Sequence, residues 1–157
     1  IFYKIEKLIG SDLKLFFYKQ GFLENFKTIK DLKKKQKLIF MLSRPNINCS
    51  TREIYSKVKK YTKGLKFSFS KINTKKKFMN QILNDTNDLQ PIVEKKHPII
   101  KRLLSDINKE KGCYLSRLSG SGSVCYGIFN NERAAKKALN KIKRRYPSFW
   151  FSIAKTV

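Results

Sequence analysis

"SRLSGSGSVCYGIF", residues 116–129, sets an apolar segment on either side of Gly-Ser-Gly-Ser. Residues 113–118 read as one strand, and 124–129 as a second that is almost wholly apolar and so belongs at the centre of a sheet. The four small residues between them admit two readings. They close a tight hairpin, or they form a loop whose amides, uncovered by side chains and free to take positive φ, approach an anion. The loop is not a P-loop, because no Gly-Lys-Ser/Thr follows, and it lacks the dinucleotide-binding spacing.

Working outward, a helix is expected from about 131 to 145, with Ala135, Ala138, Leu139 and Ile142 on its buried side, and "SFWFSIA" follows as a closing strand. Upstream, a helix starts at Pro98, carries Ile100, Leu103, Leu104 and Ile107 as one stripe, and ends at Gly112. Asn87 with Gln90 three residues later resembles a capping box, and Pro91 fits a first helical turn. Earlier still, "LKLFFY" at 13–18 and "LIFML" at 38–42 have strand composition. "SRPNINCS" is a loop, after which Ser50 or Thr51 caps a helix containing Glu53, Ile54, Tyr55 and Val58. Residues 63–83 offer only scattered apolar anchors among lysines.

With the middle helices treated as an insertion, the order from residue 38 is β-α-β-β-α-β: an α+β fold of the ferredoxin-like, split βαβ kind. Residues 37–157 form that domain, and residues 1–36 read as the tail of a preceding one. "IFYKIEKLIG" at the start reads as the end of a helix already under way, so upstream sequence is expected.

The chain has 157 residues, with 36 basic against 11 acidic side chains, for a net charge of +25. Such a field attracts polyanions. Yet Lys, Ile, Asn, Phe and Tyr are all frequent, as AT-rich coding would make them, and the lysines are spread along the chain. Charge alone does not choose a function. Cys49, Cys113 and Cys125, 64 and 12 residues apart and with only His97 besides, show no paired zinc-ligand spacing, and their odd number gives no disulfide framework; this fits a reducing cytoplasm. The longest apolar run, "LIFML", is too short to span a bilayer.

Several residues could carry chemistry. Asp12 follows Gly10-Ser11 just before a hydrophobic segment, where a carboxylate can orient or deprotonate a hydroxyl; the plainer reading is a turn aspartate. Thr51 and Tyr55 lie four apart on one helical face, so a hydroxyl and a ring could meet one ligand; otherwise they are a cap and a core aromatic. His97, before Pro98, reads as structural.

Taken in order, Gly10-Ser11-Asp12, "RPNINCSTREIY" at 44–55, "NDLQP" at 87–91 and "LSGSGSVCYGIF" at 118–129 resemble the C-terminal portion of the 4-diphosphocytidyl-2-C-methyl-D-erythritol kinase family, a branch of the GHMP kinases. The resemblance runs from about Leu8 to Val157. It implies an ATP- and Mg²⁺-dependent transfer of phosphate to an alcohol of a small cytidine-diphosphate substrate, in the cytoplasm, on the non-mevalonate route to isoprenoids. It implies that Asp12 is catalytic, that Thr51 lies near the cytidine and Tyr55 stacks on it, and that Ser119, Gly120, Ser121 and Gly122 border the transferred phosphate.

Departures are visible. The family's ATP-binding Gly-Ser loop and a substrate-side lysine belong upstream and are not in these residues, so the chain alone is expected to have negligible kinase activity. "QGFLENFKTI" lacks the family's Gly-x-Gly-Glu element, and Gln90 stands where the family has glutamate. Two alternatives are another GHMP kinase, acting on homoserine or a mevalonate derivative, and a basic RNA-binding ferredoxin-like module suggested by the charge and by Tyr126 and Phe129. The latter lacks the expected basic-Gly-aromatic signature, so a nucleic-acid partner is not expected.

Overall fold

A computed structural model describes residues 20–25, 28–32, 35–62 and 74–156, with the backbone only at 22–25, 28 and 31. Its centre is a four-stranded antiparallel sheet in the order β4-β5-β3-β6. The strands are β3 (Ile39–Arg44), β4 (Cys113–Leu118), β5 (Cys125–Phe129) and β6 (Trp150–Lys155). Counted within this sheet alone, the order is second, third, first, fourth, which is the ferredoxin-like arrangement expected from the sequence. The expected strand at 13–18 lies outside the described residues.

Strand β3 is central because both its edges are taken. Met41 pairs with Gly127 on one side and with Ile153 on the other. The alternation of side chains then gives the sheet two unlike faces. On one face Met41, Leu118, Cys125 and Phe129 meet α4 (Pro98–Asn108) and α5 (Glu132–Arg145). The stripe of Ile100, Leu103, Leu104 and Ile107 is buried there, as are Ala135, Ala138 and Ile142. Each fully buried aliphatic side chain contributes about 1.5–3 kcal/mol of transfer free energy, so this packing of two helices on one sheet face is a major stabilising term. Asn131 caps α5 by accepting a bond of 2.8 Å from the Ala134 amide, and Lys143, Arg144 and Arg145 sit at its C-terminal end, where the dipole favours cations.

The other face carries Leu115, Ile128, Phe40 and Tyr126 and is covered by α2 (Lys75–Asn84) through Phe78, Met79 and Ile82. Sequence periodicity did not single out this helix, since three consecutive lysines occupy its first turn. Its N-terminus is capped by Thr74, and Arg117 donates to the carbonyls of Ile82 and Asp85 at its C-terminal end. Tyr126 and Phe129 lie on opposite faces of β5. Phe129 is buried in the core, and Tyr126 meets the Phe40 ring edge-on, their centroids 5.9 Å apart, so they form no shared platform for a nucleotide base.

Two short strands, β1 (Gly21–Asn25) and β2 (Thr28–Asp31), form a separate antiparallel pair that begins in "QGFLENFKTI" and ends two residues beyond it. The Gln20 side chain ties it to the main sheet's approach, donating to the Gln36 carbonyl and accepting from the Gln36 amide at 2.7 Å. Helices α1 (Thr51–Ser56) and α3 (Gln90–Lys96) complete the described elements.

Two local expectations are corrected. Helix α4 ends at Asn108 with Lys109 as its cap, and Gly112, at φ +88°, belongs to the turn that enters β4. The capping box at Asn87 and Gln90 is not formed: α3 has Leu89 at its N-cap position, and both polar side chains are engaged elsewhere.

Gly127 marks the tightest approach between helix and sheet. A Cβ there would come within 2.6 Å of the Ile107 methyl and 3.0 Å of the Phe129 ring. Gly127→Ala should therefore lower unfolding stability by about 1–3 kcal/mol through overpacking. Urea denaturation checks this; an unchanged midpoint would mean that α4 can move off the sheet.

Candidate functional site

The loop joining β4 to β5 is held from three directions. Within itself, the Ser119 amide donates to the Val124 carbonyl at 2.8 Å and the Gly122 amide to the Ser119 carbonyl at 2.9 Å. Gly120 and Gly122 both have positive φ, +52° and +88°. Gly122 is also closely packed: a Cβ would lie 3.2 Å from the Leu118 methyl and 3.3 Å from the Cys49 sulfur. The hairpin reading and the exposed-amide reading are thus compatible. The turn uses two of its amides, while those of Gly120, Ser121 and Ser123 have no acceptor among the described residues.

From the second direction comes the β3–α1 connection. Pro45 is fully buried, and its carbonyl accepts from the Ser123 hydroxyl at 3.4 Å. Cys49 packs beneath Gly122, and burial pushes its thiol above the ordinary range. Ser50 caps α1, its hydroxyl accepting from the Glu53 amide at 3.3 Å. With Ser50 in that role, Thr51 is free to act elsewhere: its Oγ1 lies 2.9 Å from the Ser121 Oγ. Two residues 70 apart in sequence, expected separately at the substrate and at the phosphate, are in direct contact.

Tyr55, on the next turn of α1, is 50% exposed, which removes the core-aromatic reading. Ile54 is the residue of α1 that enters the core. Glu53 bridges Lys57 at 2.7 Å and Lys96 of α3 at 2.5 Å, and the two ammonium groups bring its carboxyl down to about 2. The pair to Lys96 links α1 to α3, although solvent screening makes such exposed pairs weak.

The third direction is the segment before α3. Strand β4 is at the edge of the sheet, and Leu118 is its last residue. The Leu118 carbonyl accepts from the Asn87 amide group at 3.0 Å, and the Leu118 amide donates to the Gln90 side-chain oxygen at 3.0 Å. Asn87 also donates to the Gly120 carbonyl at 2.8 Å. Sequence reasoning missed both residues as parts of this site. The signal was their spacing, which was assigned to a helix cap rather than to a strand edge.

Gln90 also explains why glutamine stands there. Its amide nitrogen donates to the Glu94 carboxylate at 2.8 Å while its oxygen accepts from Leu118. A carboxylate could do only the second. Asp12, the expected catalytic carboxylate, lies outside the described residues. His97 sits at the junction of α3 and α4, with its Nε2 buried and without a hydrogen bond among the described residues.

The fold and these sequence features fit one class, and the comparisons agree: the pattern of the family described as GHMP kinases C terminal matches residues 69–148. The chain belongs to that family. It is 34% identical over 155 residues to the 4-diphosphocytidyl-2-C-methyl-D-erythritol kinase of Pelagibacter ubique (strain HTCC1062), covering 98% of this chain and 54% of the relative. It is 38% identical over 103 residues to the protein of the same name from Wolbachia sp. subsp. Drosophila simulans (strain wRi), covering 64% of this chain and 34% of that one. A crystal structure of 4-(cytidine 5'-diphospho)-2C-methyl-D-erythritol kinase shares the fold with a TM-score of 0.71 at 16% identity, covering all of this chain and 57% of that one. The chain spans about half the length of the Pelagibacter relative.

Gln90→Glu should set two carboxylates against each other across the 2.8 Å contact now made by an amide. The variant is expected to lose about 1–3 kcal/mol of stability at pH 7. Such a pair holds a proton more tightly when folded than when unfolded. The deficit should therefore be full above the raised folded pKa and shrink as pH falls through it. Denaturant midpoints of wild type and variant across the acid range check the sign; a deficit independent of pH would contradict it.

Proposed function

We propose that this chain is the C-terminal part of an ATP-dependent kinase that phosphorylates the 2-hydroxyl of 4-diphosphocytidyl-2-C-methyl-D-erythritol, an enzyme of non-mevalonate isoprenoid synthesis acting in the cytoplasm. The observation that carries the proposal is the contact between Thr51 and Ser121. It joins the helix bearing an exposed Tyr55 to a loop with uncommitted amides, so one nucleotide diphosphate could span both. The names of the relatives support the choice of substrate.

In this reading Tyr55 offers its ring to the cytosine, Thr51 borders the cytidine, and Ser119, Gly120, Ser121 and Gly122 line the path of the phosphates. Asp12 orients the acceptor hydroxyl and takes its proton. Phosphoryl transfer asks for positioning and charge neutralisation, which backbone amides and a bound metal ion provide. Mg²⁺ bound with the ATP phosphates would supply part of that charge neutralisation. The residues supply the rest: an acceptor for the proton, donors for the oxyanion, and a stacking surface. Residues 1–36 belong, in this proposal, to the end of the domain that binds ATP, and residues 37–157 to the C-terminal domain. The 157 residues alone would have negligible activity.

Steady-state kinetics on the complete protein test the assignment. Tyr55→Ala removes base stacking worth about 1–3 kcal/mol, so KM for the cytidine substrate should rise roughly 5- to 150-fold while kcat changes less. Asp12→Asn should do the reverse, with a large fall in kcat and little change in substrate binding. An unchanged KM in Tyr55→Ala would count against the stacking role.

A further inference from the structure

Asn87 occupies a position that neither helix capping nor core packing explains. It lies three residues beyond α2 and three before α3, half-buried, and its side chain uses one acceptor and two donors. Its Oδ1 accepts from the Leu89 amide at 3.0 Å, which fixes the plane of the side-chain amide. Its nitrogen then reaches two main-chain carbonyls, of Leu118 at 3.0 Å and of Gly120 at 2.8 Å. The first belongs to a strand and the second to the loop, so one rigid group sets the angle at which the loop leaves the sheet.

The second bond has a consequence for the loop's chemistry. In a trans peptide the carbonyl and the following N–H point in opposite directions. With the Gly120 carbonyl turned toward Asn87, the carbonyl dipole is held away from the opposite side of that peptide plane. The Ser121 amide, which has no acceptor among the described residues, faces that opposite side. The Gly120 carbonyl has no other hydrogen-bond donor among the described residues, and a Cβ at Gly120 would meet nothing within 4 Å, so Asn87 is the side chain that resists rotation of this peptide within its turn. A flipped plane would present a carbonyl oxygen where the phosphate requires a donor.

We infer that Asn87 is a positioning residue for phosphoryl transfer: it holds the Gly120–Ser121 peptide with its N–H toward the phosphate. The inference rests on the proposed kinase function, which supplies the anion. Asn87 itself touches no substrate. It acts through the orientation of the loop amides, and Gln90 assists by holding the other main-chain group of Leu118.

The test compares Asn87→Asp with wild type in the complete protein. Aspartate keeps the shape but cannot donate to either carbonyl. The expected result is a fall in kcat of about 10²-fold, the size of effect that a misplacement of about 1 Å produces. KM for the cytidine substrate should rise by a smaller factor than kcat falls, because Tyr55 and its helix still hold the base. Normal kcat in a folded variant overturns the inference, as does activity lost only in proportion to the unfolded fraction at the assay temperature. If Asn87→Asp does not fold, Asn87→Ser, which can reach one carbonyl at most, is read by the same two criteria. If wild type fails to phosphorylate the cytidine substrate, the kinase reading falls and inorganic pyrophosphate becomes the probe. Pyrophosphate-induced shifts of the Gly120 and Ser121 amide resonances in wild type, absent from Asn87→Asp, would retain Asn87 as the residue that aims the loop. No shifts in wild type would remove that too.

Discussion

The end of β4 poses a problem that the rest of the site is arranged to solve. An edge strand has main-chain donors and acceptors with no neighbouring strand to meet them. Here the strand must also hand over to a loop whose own amides stay uncommitted. Side chains from one short segment meet both needs: Gln90 takes the Leu118 amide, and Asn87 takes the Leu118 carbonyl and then the Gly120 carbonyl. The hydrogen bonds that end the sheet are therefore the same ones that shape the loop. Removing either side chain leaves a half-buried polar group without its partner, at a cost of about 1–3 kcal/mol.

Around that anchor, the positions of α1 and the loop follow from packing. Pro45, fully buried, starts the connection that carries Cys49 under Gly122 and brings Thr51 beside Ser121. A larger residue at 122 would meet both the Leu118 side chain and the Cys49 sulfur. Positive φ and close packing together favour the absence of a side chain at Gly122, and the same absence leaves the loop's backbone open. Charge enters more weakly. With 11 acidic residues against 36 basic ones, single carboxylates serve two cations each, as Glu53 does with Lys57 and Lys96, and Glu132 with Lys136 and Lys155. These pairs are exposed and screened, so they orient surfaces more than they stabilise them.

Much of the fold was legible because it rests on periodicity. The stripe of Ile100, Leu103, Leu104 and Ile107, the apolar run ending at Phe129, and the alanines of α5 each signal their element and their buried face. Helix α2 was not legible, because its apolar residues face a small satellite core and lysines occupy the rest. Nor was the hairpin of β1 and β2, which is short and irregular in register. The site divides in the same way. Glycines that need positive φ and a capped α1 can be read from residue type. The pairing of Thr51 with Ser121, and of Asn87 with Gly120, joins parts 70 and 33 residues apart, and no local pattern reports a contact at that range. Asn87 and Gln90 were noticed for their spacing, yet three-residue spacing before a helix suits a cap equally well. Only tertiary structure decides between them.

In the proposed kinase, the exposed face of α1 and the amides of the 119–123 loop receive the two ends of a single nucleotide diphosphate. A crystal structure of the complete protein with the cytidine-diphosphate substrate bound tests it most directly. The account predicts the cytosine against the Tyr55 ring and a phosphate oxygen within hydrogen-bonding distance of the Ser121 amide, with the bond from Asn87 to Gly120 intact. A nucleotide seated elsewhere, with the loop amides meeting only water and Tyr55 touching nothing, would contradict it.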